Sequence, residues 1–396
     1  MNPITALVTG ADHVTGLGSA RALQAAGARV LGLARRPGAP ICQSRAWDSI
    51  QQIEDSDPQA FVDRVLGTAA SIDGRVFLLP TADDHVAWLA EAHGSLPDNT
   101  RMAVPMPETV SLLLEKTLFV EWATKEGFPI PRFAVVRSEA ELASALEGFP
   151  LPALLKPTVR TRAWQRLSPL RKILRIETTD ELEAVSFDLF DAVPSYVLTE
   201  WIEGTDADVL FCLAYLDEKS EIVASFTGRK LLQYPPLTGS TAICTDIPDS
   251  ALTALAADVL GAAGCTGLAS LEVKRSVSDG RYLITEPTVG RPNMQSAAST
   301  AAGLNLHGIA MRDVWDEDWT DLVRPRKRIV WVEEMALFDV VTTRERPRLP
   351  YGLLFRELLA ARRVKGARLG FCDLDLIDAM VKGRLTSSRP PPGEGL

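Results

Sequence analysis

Two glutamates lie on the two arms of one predicted β-hairpin, and their spacing could create a cation site. Residues 268–291 read LASLEVKRSVSDGRYLITEPTVGR, in which Ser278-Asp279-Gly280 separates two runs of strand-like composition. If the turn centres on Asp279, Glu272 and Glu286 face each other across the hairpin. Like charges in opposed positions repel. Either the register therefore differs by one residue, or a cation lies between the two carboxylates.

Three further polar residues lie where they could meet a ligand. Lys156 ends an apolar strand and precedes Pro157, so its ammonium either extends along the surface or binds phosphate. Lys116 lies on a predicted helix with an apolar face. Glu200 ends the strand of SYVLTEWIEG (195–204), where polar groups and backbone could meet a base. Considered singly, each of the three is better explained by a structural role.

The first βα turn could bind a dinucleotide. TGADHVTGLG (9–18) places Gly10, Gly16 and Gly18 before a helix, where phosphate could approach backbone N–H groups. Arg35 and Arg36 could contact a 2′-phosphate, which leaves an NADP-dependent oxidoreductase open as an alternative. The first two glycines are further apart than in short-chain reductases, however. The Tyr215/Lys219 pair that such an enzyme would need lies in a polar turn, not on a helix.

The composition predicts a cytoplasmic protein. The chain has 396 residues, 46% of them hydrophobic, without an apolar run long enough to span a membrane and without a signal-peptide pattern at its start. Its five cysteines are far apart and form no CxxC pair, which favours buried thiols in a reducing compartment over disulfides or a zinc site. A net charge of −9 argues against nucleic-acid binding.

The order of elements predicts a mixed α/β and α+β chain. Residues 1–110 alternate strands and helices, through ITALVTG, RVLGLAR and RVFLLPTADDHV, and predict a parallel sheet with ligands at the carboxyl ends of its strands. A long helix, ETVSLLLEKTLFVEWATKEG, opens a second region (111–322), which is rich in strands up to residue 291 and contains a helix at 249–263.

The third region, residues 323–396, differs in charge. Residues 324–368 hold 12 Lys/Arg against 5 Asp/Glu, so the rest of the chain is strongly acidic. This pattern indicates a helical segment that docks on an acidic body, or alternatively a surface for anionic lipid or an acidic partner. The final residues, SSRPPPGEGL, are predicted to be disordered.

Five stretches, taken in order, resemble the ATP-grasp ligases, most closely the carboxylate–amine ligases of the D-aspartate ligase type and the carbamoyl-phosphate synthase large chain. The stretches are LLLEKTLFVEWATKEGFPIPR (112–132), FPLPALLKP (149–157), VLTEWIEGTDAD (197–208), FTGRKLLQYPP (226–236) and GLASLEVKRSVSDGRYLITEPTVGR (267–291). The resemblance covers about residues 1–320. It implies an ATP-grasp fold of two subdomains with ATP between them, preceded by a Rossmann-like domain whose loops, including residues 81–84, face the substrates.

The resemblance also implies a role for each matching residue. Glu272 and Glu286 resemble ligands of the Mg²⁺ that accompanies ATP, for which Mn²⁺ can substitute, and Thr288 would be the third ligand. Lys116 and Lys156 match the lysines that bind the α- and β-phosphates. The remaining matches are the adenine hinge (Glu200, Trp201 and Ile202), a ribose-binding acid (Asp206), cations beside the transferred phosphate or the substrate carboxylate (Arg229 and Lys230) and a further catalytic arginine (Arg291).

Three features depart from the family pattern. Glu286-Pro287-Thr288 stands where most members have Glu-x-Asn, so the third metal ligand is a hydroxyl or is missing. Arg291 lies one place later than the usual arginine. Residues 158–175 lack the usual glycines and instead carry six cations, Arg160, Arg162, Arg166, Arg171, Lys172 and Arg175. Charge could replace backbone amides as the phosphate clamp, or these cations could bind a large anionic substrate.

The implied activity is ATP-dependent ligation of a small carboxylate to an amine, possible substrates being amino acids, through an acylphosphate with release of ADP and phosphate. The alternatives are a non-catalytic nucleotide-binding protein and the NADP-dependent oxidoreductase. Neither a nucleic acid nor a transmembrane segment is expected, and the chain could form a homodimer.

Overall fold

The computed structural model describes residues 3–159, 161–167, 173–178, 186–342, 351–361 and 363–368. Arg160, Arg171, Lys172 and the side chain of Arg162, all from the arginine-rich segment, lie outside the described part of the chain, as do Cys372 and the terminal SSRPPPGEGL. The described residues form three β-sheets. No helix within these ranges has both the length and the apolar character that a membrane crossing requires.

The first sheet is fully parallel, in the order β3-β2-β1-β4-β5. Its strands are β1 (Thr5–Thr9), β2 (Arg29–Ala34), β3 (Ser49–Gln52), β4 (Val76–Leu79) and β5 (Thr100–Met102), and its helices are α1 (Val14–Ala25), α2 (Pro58–Ala70) and α3 (Asp83–Glu91). This arrangement confirms the predicted Rossmann-like unit. All residues of β1 and β4 are buried, as continuous apolar runs predict for strands covered on both faces.

The sheet order reverses at β1, so the loops after β1 and β4 lie side by side. Thr81, after β4, donates a hydrogen bond from Oγ1 to the Thr9 carbonyl (2.7 Å) at the end of β1. A crevice at the carboxyl ends of such strands is where open α/β sheets bind ligands. The fold therefore places residues 10–13 and 81–84 together at one edge of the sheet.

The second sheet is small and antiparallel, in the order β6-β9-β7-β8. Its strands are β6 (Phe133–Val136), β7 (Ala153–Pro157), β8 (Leu174–Ile176) and β9 (Tyr196–Glu200). The helices of this region are α4 (Pro107–Leu114), α5 (Lys116–Lys125), α6 (Glu139–Leu146), α7 (Arg162–Leu167) and α8 (Ser186–Ala192). Its core includes the buried rings of Trp164 and Tyr196.

The long helix that the sequence predicts before this sheet is in fact two helices. Glu115 has an extended backbone conformation (φ −79°, ψ 112°), which ends α4 and makes Lys116 the first residue of α5. No glycine or proline marks this break. The break therefore depends on how the two helices pack, because the local sequence favours a continuous helix.

The third sheet is the largest, in the order β14-β13-β10-β11-β12-β15-β16. Its strands are β10 (Val209–Leu216), β11 (Ile222–Tyr234), β12 (Ser240–Asp246), β13 (Gly267–Arg275), β14 (Tyr282–Thr288), β15 (Ile329–Val332) and β16 (Arg363–Gly366). Helix α9 (Ser250–Ala262) shares an apolar core with one face, and α10 (Ser296–Ala302) and α11 (Leu306–Asp313) share one with the other. The last core also includes residues of β1 and α1, so the first sheet and the largest sheet are packed together.

The basic C-terminal segment is integrated into the largest sheet. Besides α12 (Glu334–Thr342) and α13 (Tyr351–Ala360), it contributes β15, which pairs antiparallel with β12, and β16, which pairs parallel with β15. Arg326 pairs with Asp246 (3.2 Å), on β12, and Arg368 pairs with Glu333 (2.5 Å). These contacts support the interpretation that the segment docks on the body of the protein.

Candidate active site

The two glutamates of the hairpin are direct partners. Glu272, on β13, pairs with Glu286, on β14, as the sequence predicts, but the pairing arises in an unexpected way. Near the turn the register is offset by one residue, with Val273 opposite Ile284. A β-bulge at Thr285 corrects this offset, because the extra residue on β14 moves Glu286 opposite Glu272.

A cation lies beside this pair in the form of a lysine. The Lys230 ammonium Nζ is 2.8 Å from Glu272 Oε2, although β10 lies between the strands that carry the two residues. Lys230 is buried, and Nζ also donates to Gln233 Oε1 (2.9 Å). The sequence comparison predicts a cationic role for Lys230, but only the strand order shows that it neutralises a proposed metal ligand.

Lys156 lies within electrostatic range of the same carboxylates and of Lys116. Lys156 lies at the end of β7, paired with Val197 of β9. The pKa of Lys156 is lowered by burial of the ammonium and by the charge of Lys116, and it is raised by Glu286 and Glu272. Since the pKa of Lys156 responds to all three charges, Lys116, Glu272 and Glu286 lie within electrostatic range of its ammonium, although the four residues come from three separate regions of the sequence.

The donor set of these residues suits a metal that arrives with phosphates. Within the described residues, no three His, Cys, Asp or Glu side chains form a preformed metal site. Mg²⁺ in nucleotide sites commonly uses one or two carboxylates and completes its shell with phosphate oxygens and water. The opposed carboxylates of Glu272 and Glu286, with Lys116 and Lys156 nearby, fit that pattern.

Thr288, the predicted third metal ligand, is buried two residue pairs further along the hairpin, opposite Ser270. The side-chain amide of Asn293 donates to Ser270 Oγ (3.1 Å) and lies 3.4 Å from Thr288 Oγ1. Sequence reasoning missed Asn293, because it follows β14 in an irregular segment. An amide therefore lies beside the position where the family pattern places asparagine.

The residues predicted to form the adenine hinge lie where β9 leaves the small sheet. Glu200 accepts a hydrogen bond from the Arg132 backbone N–H (3.0 Å), and Ile202 is buried. The Trp201 ring contacts two cations, with Arg175 Cζ 4.3 Å and Lys274 Nζ 4.2 Å from its centroid. These contacts join the hinge to β8 and to β13.

Lys274 is a further cation that sequence reasoning missed. Its side chain is buried, and its pKa is lowered to about 8. Burial is the main cause and the charge of Arg175 adds to it, while the carboxylates of Asp206, Asp208 and Glu203 act in the opposite direction. Alternation along β13 offers the only sequence signal, because residues 270, 272 and 274 share one face.

Asp206, the predicted ribose ligand, is buried and already accepts three hydrogen bonds. Its carboxylate binds the Gln233 backbone N–H (2.8 Å), the Gln233 side-chain amide (3.0 Å) and the Leu237 N–H (2.8 Å). Gln233 thereby connects Asp206 to Lys230, and through Lys230 to Glu272. The ribose role of Asp206 stays a prediction.

Arg229 faces away from this network. Successive side chains of a strand point to opposite faces, and the guanidinium of Arg229 meets Glu357 on α13 (3.2 Å) rather than Glu272. The Glu357 carboxylate is fully buried and is also bound by Arg328 and Arg356. The catalytic role of Arg229 stays a prediction. In the structure its guanidinium pairs with Glu357, a buried carboxylate with a structural role.

Arg291 connects the segment that follows β14 to the first sheet. Its Nε lies 2.6 Å from Asp83 Oδ1, in the predicted substrate-facing loop. Burial lowers the pKa of His13, in the loop after β1, and the charges of Arg368 and Arg291 lower it further. Burial and the nearby carboxylates of Asp83 and Asp55 raise the pKa of Asp84. Arg291 therefore lies among the loops at the carboxyl ends of β1 and β4.

The residues behind the dinucleotide alternative have other partners. Arg36 pairs with Asp12 (3.3 Å), and Arg35 lies 3.8 Å from Asp55. Tyr215 is buried at the end of β10 and donates from its hydroxyl to Asp313 (2.7 Å).

No protein-family model matches the sequence, and no curated protein matches it either. Solved structures do match. N5-carboxyaminoimidazole ribonucleotide synthetase from Thermus thermophilus is 17% identical with a TM-score of 0.62, over 98% of this chain and 99% of that one. The corresponding synthetase from Staphylococcus aureus is 12% identical (TM-score 0.63, 83% of this chain and 82% of that one). L-amino acid ligase from Bacillus licheniformis is 14% identical (TM-score 0.60, 83% and 78%).

At these identities the likeness concerns the fold. The match to the Thermus thermophilus structure covers 98% of this chain, so it includes the Rossmann-like unit and the sheets that hold Lys156 and Glu272. The chain described here therefore has the ATP-grasp fold, preceded by a Rossmann-like domain.

Proposed function

We propose that this protein is an ATP-dependent carboxylate–amine ligase. The observation that supports this function best is the opposed pair of Glu272 and Glu286, with the ammonium of Lys156 within electrostatic range of both glutamates and of Lys116. Two ammonium groups beside two opposed carboxylates suit a metal–triphosphate complex, because each group then faces an opposite charge. The solved structures of this fold include an ADP complex of N5-carboxyaminoimidazole ribonucleotide synthetase and an L-amino acid ligase.

The proposed reaction has two steps. An oxygen of the substrate carboxylate attacks the γ-phosphorus of ATP, which forms an acylphosphate and releases ADP. The amine then attacks the acyl carbon, the C–O bond to phosphate breaks, and an amide and inorganic phosphate are released. Holding the three reactants together would supply much of the rate enhancement.

The chain's own residues bind and orient the reactants. Lys116 and Lys156 would bind the phosphates, and the ammonium of Lys156 stabilises charge more strongly in a partly desolvated cleft than in water. The backbone of Glu200–Ile202 would receive adenine, with Asp206 near the ribose. The segment that carries Arg291 would orient the carboxylate or the amine against residues 81–84.

Glu272 and Glu286, with Thr288 as a third candidate, are the residues that would hold Mg²⁺. When bound, Mg²⁺ would neutralise charge on the phosphates, and Mn²⁺ could take the same ligands. We propose small-molecule substrates, with amino acids as candidates, a cytoplasmic location and a homodimer as the assembly to test.

One observation favours a second candidate, a nucleotide-binding protein without ligase activity. Arg229, expected beside the transferred phosphate, is instead bound by the buried Glu357. If that arginine is required for phosphoryl transfer, the protein would bind ATP without turnover.

Product analysis distinguishes these functions. Purified protein is incubated with Mg-ATP, a panel of amino acids and small carboxylates, and hydroxylamine in place of the amine. The ligase should release ADP and phosphate only when its carboxylate is present, and a hydroxamate should accumulate in equal amount. Release of AMP and pyrophosphate would instead show an adenylating enzyme, and bound ATP without turnover would support the second candidate.

Lys156→Ala should lower both nucleotide affinity and turnover in this assay. Lys125→Ala is a matched control because it also removes one ammonium, but from an exposed residue at the opposite end of α5 from Lys116. Equal activity of Lys156→Ala and the wild-type protein would contradict the proposed phosphate site.

A further inference from the structure

The two glutamates of the hairpin have different surroundings. Glu272 uses both carboxylate oxygens within the protein, since Oε2 meets the Lys230 ammonium (2.8 Å) and Oε1 lies 3.2 Å from the Thr285 hydroxyl. Glu286 is exposed, and among the described residues its carboxylate has neither a hydrogen bond nor an ion pair. One carboxylate of the pair is thus neutralised, and the other is open to a ligand.

The position of Lys230 is fixed by buried hydrogen bonds. Lys230 is only 4% exposed, and its second acceptor, Gln233, is only 2% exposed. Gln233 is held in turn by Asp206, which accepts from both its backbone and its side chain. Moving the ammonium away from Glu272 would leave a buried charge with a neutral amide oxygen as its acceptor, which is unfavourable.

We propose that Lys230 is a permanent counter-ion of Glu272, so that the carboxylate pair holds one divalent ion with the nucleotide, mainly through Glu286. This inference rests on the proposed function, because it concerns the metal that accompanies ATP. A second divalent ion at the hairpin would have to share Glu272 with an ammonium that cannot move away at low cost. Repulsion between the two cations at such short range would weaken its binding.

The balance of charge supports one ion. Glu272 and Glu286 contribute two negative charges, of which Lys230 cancels one. Lys116 and Lys156 add positive charge on the side where the phosphates would lie. One divalent ion then suffices for a bound triphosphate, since the ammonium groups of Lys116 and Lys156 supply positive charge that further metal would otherwise provide.

The count of bound Mn²⁺ tests this inference without reference to turnover. The full-length protein is dialysed to equilibrium against Mn²⁺ and AMP-PNP, and bound Mn²⁺ is measured by electron paramagnetic resonance, with bound nucleotide measured in the same sample. We expect one Mn²⁺ per bound nucleotide in the wild-type protein. Lys230→Met should raise the count to two, whereas Lys219→Met, which removes an exposed lysine in a turn, should leave it at one.

Each outcome of the count decides the inference. Two Mn²⁺ ions per nucleotide in the wild-type protein would overturn the inference, although nucleotide binding itself would be intact. Nucleotide bound without any Mn²⁺ would overturn it as well. If Lys230→Met fails to fold, the wild-type count still decides, and Lys230→Arg, which keeps the charge, should also bind one ion. Absence of bound nucleotide in the wild-type protein would instead contradict the proposed function itself.

Discussion

The guanidinium Nε of Arg291 lies 2.6 Å from Asp83 Oδ1, and this ion pair joins the segment after the last hairpin strand to the first residue of α3. Neither residue lies in a strand, and the ion pair brings the start of α3, at the carboxyl-end edge of the first sheet, to the segment that follows the strand of Glu286. The Asp83 side chain is half exposed (51%), so a substrate could reach it. This contact links the Rossmann-like unit to the segment that follows the proposed metal site.

Asp83→Asn should change substrate preference while sparing ATP binding. The pair is largely exposed on the Asp83 side, so its loss should lower stability by no more than about 1 kcal/mol. Steady-state KM values for carboxylate and amine, compared with the Kd of AMP-PNP, test this expectation. Asp98→Asn, an exposed acid elsewhere in the same domain, is the control. A large loss of nucleotide affinity in Asp83→Asn would contradict the assignment.

The two glutamates of the proposed metal site should respond differently to the same substitution. Both Glu272→Gln and Glu286→Gln should abolish Mg²⁺-dependent turnover. Only Glu272→Gln should destabilise the protein, on the order of 2 kcal/mol, because it leaves the buried Lys230 ammonium without its counter-ion. Glu286→Gln should keep or slightly raise stability, since it relieves repulsion between opposed carboxylates. Urea denaturation of the two variants measures the difference, and equal destabilisation would show that Lys230 is not specific to Glu272.

Arg229 should contribute more to stability than to turnover. Its guanidinium contacts the carboxylate of Glu357, which is fully buried. Arg229→Gln and Glu357→Gln should each lower the free energy of unfolding by about 3 kcal/mol, because each variant leaves a buried charge without one of its partners. Glu218→Gln, an exposed acid in a turn, is the control for the second variant. Thermal unfolding and kcat are measured together. A catalytic Arg229 would show the opposite result, with kcat lost and stability retained.

His307 should make the protein sensitive to mild acid. Burial lowers the pKa of His307 to about 4, below the ordinary value of 6.5. As the pH falls from 6.5 towards 4, the unfolded chain gains a proton that the folded protein cannot accept, so stability is lost over this interval. The loss at pH 5 should be about 2 kcal/mol.

Urea denaturation at pH 7.5 and pH 5.0 tests this effect. His307→Leu should show a smaller loss of stability between the two pH values than the wild-type protein. His13→Gln, in the loop after β1, provides a comparison with a less buried histidine. An unchanged pH dependence in His307→Leu would mean that His307 is protonated equally in the folded and unfolded states.

The contact between Lys274 and Trp201 should produce a fluorescence change near pH 8. The Lys274 ammonium lies 4.2 Å from the ring centroid, and its pKa is lowered to about 8 by burial. Raising the pH through 8 removes the charge from one face of the ring and should shift its emission. The change should be absent in Lys274→Met and in Trp201→Phe, and persistence of the step in either variant would assign it to another group.

The sequence by itself determined the local elements that carry the proposed site. Buried apolar runs indicated β1, β2 and β4, and the turn at Asp279 indicated the hairpin that opposes Glu272 and Glu286. These features depend on the alternation of side chains and on turn chemistry within a few residues. The fold was accessible for the same reason, because five stretches in a fixed order resemble one family.

Tertiary structure decided which charges meet. The sequence did not predict four features of the structure. These are the bulge at Thr285, the pairing of Lys230 with Glu272, the burial of Glu357 against Arg229 and the addition of β15 and β16 to the largest sheet. Each depends on strand order or on packing between segments that are distant in the chain. A lysine at a given position can neutralise a carboxylate two strands away or remain in solvent, and only the order of the strands determines which carboxylate its side chain can reach.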